Sequence, residues 1–367
     1  MPINEQSLPV EPASTTVKKV NWKQVGLFIG LTFGLTWLLD LALYLSGGLT
    51  SPAAMIVLQC QMLLPAFSAM LLGMFLFKDS PIYIKTTPTA SRWFTWYFLV
   101  FTLLYIAAVT VSFIRPELTQ TLASVLLVPG ILGMILVLVL RAVGGKGTFD
   151  KAGMGGGKAL LWLLYGLAIL LFAGLQTGLN WLFKMGQVPD ISLYLSQAAA
   201  MGMSANIFMI VLAVQTILLG PFLGLLITFG EEYGWRGYLQ PALMGLGKVR
   251  GVALVGLIWG VWHWPVIWMG YNYPNHPYLG SLLMVLFCIG MAFLLGYAVL
   301  KAKGVWIAAF LHALLNQSFS FFMGFLYTPN DTTYSFGLGL PGLAVLALLV
   351  FLVLLDPIWK QKEQSLV

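Results

Sequence analysis

Between residues 24 and 355 the chain is a succession of apolar runs joined by short polar links. The runs lie at roughly 24–46, 53–77, 93–114, 121–141, 159–183, 205–229, 251–270, 279–300, 304–326 and 337–355. Crossing the hydrocarbon core of a bilayer takes about 20 mostly apolar residues in a helix. All ten runs meet that length. Only 8% of the residues are charged, against about 25% in a soluble globular protein. The expected fold is therefore an all-α polytopic membrane protein, a bundle of about ten transmembrane helices.

The basic residues test that count. If the N-terminus is cytoplasmic and every run spans, 17 of the 19 lysines and arginines fall on cytoplasmic segments, leaving only Arg115 and Lys184 outside. Cytoplasmic loops carry just such an excess of positive charge, so both termini are placed inside. The net charge of +7 belongs to this pattern. No basic stripe with interleaved aromatics points to nucleic acid. The implied surroundings are the lipid bilayer.

The chain divides into a polar, proline-bearing tail at 1–22, expected to be disordered, and N-terminal transmembrane helices at 23–200. A motif-bearing core follows at 201–327, then the last helix and a cytoplasmic tail at 328–367. No signal peptide is evident. The longest links are 142–158, Gly-rich and basic, and 184–204, with room for a short interfacial helix. Gly153-Met-Gly-Gly-Gly-Lys158 resembles a phosphate loop but has Ala at 152 and no strand before it. Cys60 and Cys288 lie within apolar runs, too few for a disulfide framework and without neighbouring metal ligands.

Charge arrives abruptly after Ile207–Thr228, which holds none, in the stretch Glu231-Glu232-x-x-x-Arg236. Charges at this depth are costly unless they pair or work. Glu232 and Arg236, four apart, share a helix face and can pair. Glu231 projects about a hundred degrees away, so one carboxylate can be tied while its neighbour faces a cavity. Two of the three histidines also lie in apolar runs. His263 follows Trp259 by four, and His312 precedes Asn316 by four. Three helices thus present i, i+4 pairs. Measured from Arg250 and Lys303, the histidines sit roughly 14–20 Å below the cytoplasmic face. A recessed site opening to the cytoplasm follows if these helices converge. Glycines at 230, 234 and 237 allow a kink or close helix contact there.

The residues leave two readings open, polar side chains that glue helices together and a catalytic constellation. His276, in the outer loop, reads as a solvated loop residue. Asp40, near the outer end of the first run, reads as interfacial, with no evident partner.

The order Glu231-Glu-x-x-x-Arg236, aromatic-x-x-x-His263 and His312-x-x-x-Asn316 on successive helices resembles the type II CAAX prenyl endopeptidase, or Abi, family of bacteriocin-processing and CAAX proteases. The likeness covers roughly 205–325. Its second motif usually begins with phenylalanine, where this chain has Trp259. The resemblance implies an intramembrane protease with an all-helical core, of eight helices in one version, in a bacterial cytoplasmic membrane. It acts on a membrane-associated peptide or protein tail. Glu231 would be the general base acting with His263, His312 and Asn316 would hold the oxyanion, and Glu232 and Arg236 would brace the site. The family has been described both as metalloproteases and as glutamate proteases. No cofactor is favoured here, and zinc would be held by Glu231, His263 and His312. Apolar surroundings make a carboxylate a better base, which agrees. The competing readings are a non-catalytic immunity factor or scaffold, and a transporter. Transporters tend to repeat their polar sites in both halves, whereas here they cluster in one.

Overall fold

The computed structural model describes residues 19–86 and 89–361. The expected tail at 1–22 lies almost wholly outside the described residues, as do residues 362–367 of the C-terminal tail. The described chain is helical, with one two-residue antiparallel pairing, Gly186–Gln187 against Thr328–Pro329.

Among the described residues, eight helices are long and apolar enough to cross a membrane. They are α1 (Trp22–Leu45), α2 (Ala54–Leu76), α3 (Ala90–Ile114), α4 (Pro116–Gly144), α5 (Ala159–Leu182), α6 (Ala205–Leu223), and, further on, Pro277–Ala302 and Trp306–Leu326. The seventh and tenth apolar runs depart from a simple span. The run 251–270 gives α8 (Lys248–Trp262) and α9 (Trp264–Trp268), broken at His263. Pro265 lacks an N–H for the ladder, so the helix cannot pass straight through. At the break the carbonyl of Trp262 accepts from Trp37 Nε1 of α1 at 3.2 Å. Pro277–Ala302 and Trp306–Leu326 are then α10 and α11, and the last run gives α12 (Leu340–Leu354) of only 15 residues.

The run 205–229, expected as one span ending at the charges, is divided at Gly224. Beyond it α7 (Leu225–Glu232) carries the first motif and continues as a π-helical stretch, Tyr233–Leu239. Short π segments are frequent at functional sites, because the wider turn re-aims side chains. A nine-residue helix, Ser192–Ala200, fills the expected place in the 184–204 link.

Helix α2 is the centre of the bundle, most of its length buried. It lies against α7 at two glycines. A Cβ at Gly230 would stand 2.4 Å from the Met62 carbonyl oxygen, and one at Gly234 would stand 2.3 Å from Pro65 Cβ. Small residues four apart let membrane helices approach backbone to backbone. The N-terminal helices and the motif helices therefore form one packed body across residue 200.

Candidate active site

The backbone brings Glu231, Glu232, Arg236, Trp259, His263 and His312 together from α7, α8 and α11. Glu232 and Arg236 pair as their spacing predicts, Nη1 donating to Oε1 at 3.1 Å with both side chains wholly buried. The same Oε1 lies 2.8 Å from Nδ1 of His312. Glu232 is thus locked between two helices.

Glu231 is held differently. Its Oε2 accepts the indole N–H of Trp259 at 2.8 Å, and its Oε1 takes no hydrogen bond from the described residues. Among the described residues each carboxylate keeps one unbonded oxygen, but they differ in their ties: Glu232 binds Arg236 and His312 through Oε1 while its Oε2 is sealed without a partner, and Glu231 is held only by the Trp259 indole.

His263 sits half-buried at the break between α8 and α9. Its Nδ1 faces the Trp259 carbonyl at 2.9 Å. A carbonyl can only accept, so the bond assigns the proton to Nδ1 and leaves Nε2 available as a base. The ring stands edge-on to Trp262, centroids 4.8 Å apart. Trp259 also faces His312 edge to face at 5.6 Å and lies 4.3 Å beneath the Arg236 guanidinium carbon. Asn316, one turn beyond His312, is exposed and bonds to none of these residues.

Exposure along α11 is uneven. The N-terminal half of α11 is buried almost throughout, whereas Asn316 and Ser320, four apart on its farther half, are exposed. At the end nearer Lys303 the carboxylates rest on an aromatic floor. Phe229 stacks on Trp306 with centroids 4.1 Å apart and meets Phe94 at 5.6 Å. Below it the Gly-rich link packs inward. Tyr233 donates its hydroxyl to the Ala152 carbonyl at 3.0 Å, and the Trp306 backbone N–H donates to the Gly155 carbonyl at 3.3 Å. Gly153, at φ +72°, makes the turn this requires. The 142–158 link therefore packs against that end of the site, and the exposed side chains of α11 lie beyond it.

Two further residues sit where spacing alone did not put them. Cys288 of α10 lies with its sulfur 3.9 Å from His263 Nδ1, next to a site that its apolar run did not suggest. Asp40 is buried and has a partner after all, Gln61 of α2. It stays apart from the carboxylate pair. His276 remains in its loop, 3.3 Å from Asp331. Among the described residues no three His, Cys, Asp or Glu side chains converge closely enough to hold a metal ion.

The comparisons agree with the motifs. Residues 213–318 match the family model described as Type II CAAX prenyl endopeptidase Rce1-like. A "CAAX prenyl protease 2" of Methanococcus maripaludis is 31% identical over 101 residues, 26% of this chain and 37% of that protein. The match thus spans little more than a third of the relative's length. No solved structure matches. Residues 213–318, which hold every motif residue described above, are thus similar to the CAAX prenyl endopeptidases.

Proposed function

We propose that the protein is an intramembrane endopeptidase that cleaves a membrane-associated peptide or protein tail without a metal. The observation that carries the reading is the division between the carboxylates. Glu232 is tied through Oε1 to both Arg236 and His312 with its Oε2 sealed, while Glu231 keeps Oε1 unbonded and shares Trp259 as a partner with His263, whose Nε2 is unbonded.

In this reaction Glu231 Oε1 takes a proton from a water molecule, with His263 Nε2 orienting it. The water oxygen attacks the scissile carbonyl carbon, and the carbonyl π-electron pair moves onto oxygen. Asn316 Nδ2–H donates to that oxyanion. His312 donates Nδ1–H to Glu232, and in its imidazolium form it also has an Nε2–H for the oxyanion. Collapse of the tetrahedral intermediate breaks the C–N bond, and the proton held by Glu231 passes to the leaving amine. Donors fixed in a water-poor site are worth several kcal/mol to such an intermediate. Glu232 and Arg236 carry no proton in the cycle. They hold His312 and the π-helical turn in place.

The test is comparative peptidomics of membranes from cells making the wild-type chain or Glu231→Gln. Membrane peptides shortened only by the wild type support the reading. An unchanged peptide set argues for a non-catalytic scaffold instead. Detergent-purified protein should keep its activity after chelation, and stoichiometric zinc lost together with activity in His263→Ala would overturn the metal-free mechanism.

A further inference from the structure

Trp259 touches four members of the site with different atoms. Its indole N–H reaches Glu231 at 2.8 Å and its carbonyl faces His263 Nδ1 at 2.9 Å. Its ring lies under Arg236 at 4.3 Å and edge-on to His312 at 5.6 Å. The side chain is buried. A phenylalanine in this place would supply the ring to Arg236 and His312 but nothing to Glu231.

That difference matters because of the torsion it controls. The last side-chain torsion of a glutamate is broad and two-fold, with no deep staggered well of its own. Glu231 has no other hydrogen bond among the described residues to fix it. We infer that Trp259 is a positioning residue for the proposed hydrolysis: its indole N–H pins Oε2 of Glu231 and so aims Oε1 at the attacking water. The inference rests on the proposed base role of Glu231. The carbonyl of the same residue fixes the His263 ring, so the two groups that handle the water are set by one residue of α8. A catalytic group misplaced by about 1 Å can cost a hundredfold in rate, although the carboxylate itself is intact.

The experiment compares Trp259→Phe, Trp259→Leu, Glu231→Gln and the double variant Trp259→Phe/Glu231→Gln. The probe is an internally quenched peptide carrying a cleavage sequence found in the peptidomic comparison. Trp259→Phe should lower kcat about tenfold, the worth of one hydrogen bond to a charged group. KM and melting temperature should stay at wild-type values. In the Glu231→Gln background the same change should add almost nothing, because the carboxylate it aims is gone. Trp259→Leu, which also removes the ring, should lose stability as well and so set the scale of a structural defect. Wild-type kcat in Trp259→Phe overturns the inference, as does a fall of kcat, KM and melting temperature in step with Trp259→Leu. An equal fall in both backgrounds overturns it too. Wild-type activity in Glu231→Gln would instead remove the hydrolytic reading on which it rests.

Discussion

Helices α6 and α7 come from one apolar stretch of sequence and meet opposite fates. In the α6 window only 6% of residues are buried, and Ile207, Ile210, Leu218 and Leu219 face outward. One glycine later, Leu225, Leu226, Phe229 and both glutamates are sealed inside. Hydropathy cannot separate these cases. A leucine facing lipid and a leucine facing protein are equally far from water, so burial within the bundle brings no hydrophobic gain. What distinguishes α7 is the glycine pair that lets α2 approach and the polar groups that bind α8 and α11. Each half of the contrast can be tested.

The largest effects belong to the charges of α7. Glu231→Gln keeps shape and can still accept the indole N–H, but it takes no proton. Turnover should fall about 10²–10⁴-fold, the usual worth of a general base, with an unchanged melting temperature. Glu232→Gln should separate from it. It leaves Arg236 buried without its counter-charge and takes the carboxylate from His312, at a cost of about 3–5 kcal/mol in stability. Thermal melting in detergent beside a turnover assay reads both. If Glu231→Gln is the less stable of the two, the division of roles between the carboxylates is wrong.

Packing comes next. Gly230→Ala or Gly234→Ala drives a methyl into the α2 backbone, and overpacking of this kind costs about 1–3 kcal/mol. Gly174→Ala on α5, where a Cβ has nothing within 4 Å, should be neutral or slightly stabilising, since alanine is the better helix former. Equal melting temperatures for the three variants would mean that α2 and α7 do not pack as described.

Charge pairs sharpen the contrast further. Lys301 and Asp356 stand 2.6 Å apart but partly exposed, so solvent screens them and the pair should be worth only about 0.2–1 kcal/mol. The hydrogen bond from Lys301, helped by the Ile358 N–H, holds the Asp356 carboxyl below its ordinary 3.8. A lowered folded value means the stabilisation is complete above that figure and fades as pH falls through the folded value. Wild type and Asp356→Asn should therefore differ slightly in melting temperature near neutrality and converge in strong acid. A gap that persists in acid would show that the carboxylate charge is not its source.

Much of this was legible in the sequence because its signals are local. Run length gave the helices, and i, i+4 spacing gave the Glu232–Arg236 pair. What was not legible depended on contacts between distant segments. Nothing local says that the 142–158 link folds back to Tyr233 and Trp306. At Trp259 the spacing showed an aromatic ring and not the direction of its N–H. The breaks at Gly224 and His263 had glycine and proline nearby, but an apolar run of sufficient length hid them. The partner of Asp40 was hidden because Gln61 lies on another helix.

The smallest effect is the one that most directly tests the opening contrast. Ile210 on α6 is 64% exposed, so within the bundle it meets little protein, and in a membrane that surface meets acyl chains. Ile210→Ala removes side-chain volume from the lipid side, where chains refill the space and no cavity forms. The usual core penalty of about 2–5 kcal/mol for such a truncation should therefore vanish to within about 0.5 kcal/mol, as for surface positions away from special features. Leu226→Ala, one helix later and 1% exposed, should carry the full core penalty. Melting both variants in the same detergent gives the comparison. A loss at Ile210 matching that at Leu226 would mean that α6 has a protein neighbour, such as a second chain or a bound substrate helix. Turnover should be unchanged in Ile210→Ala, because α6 supplies no atom to the site.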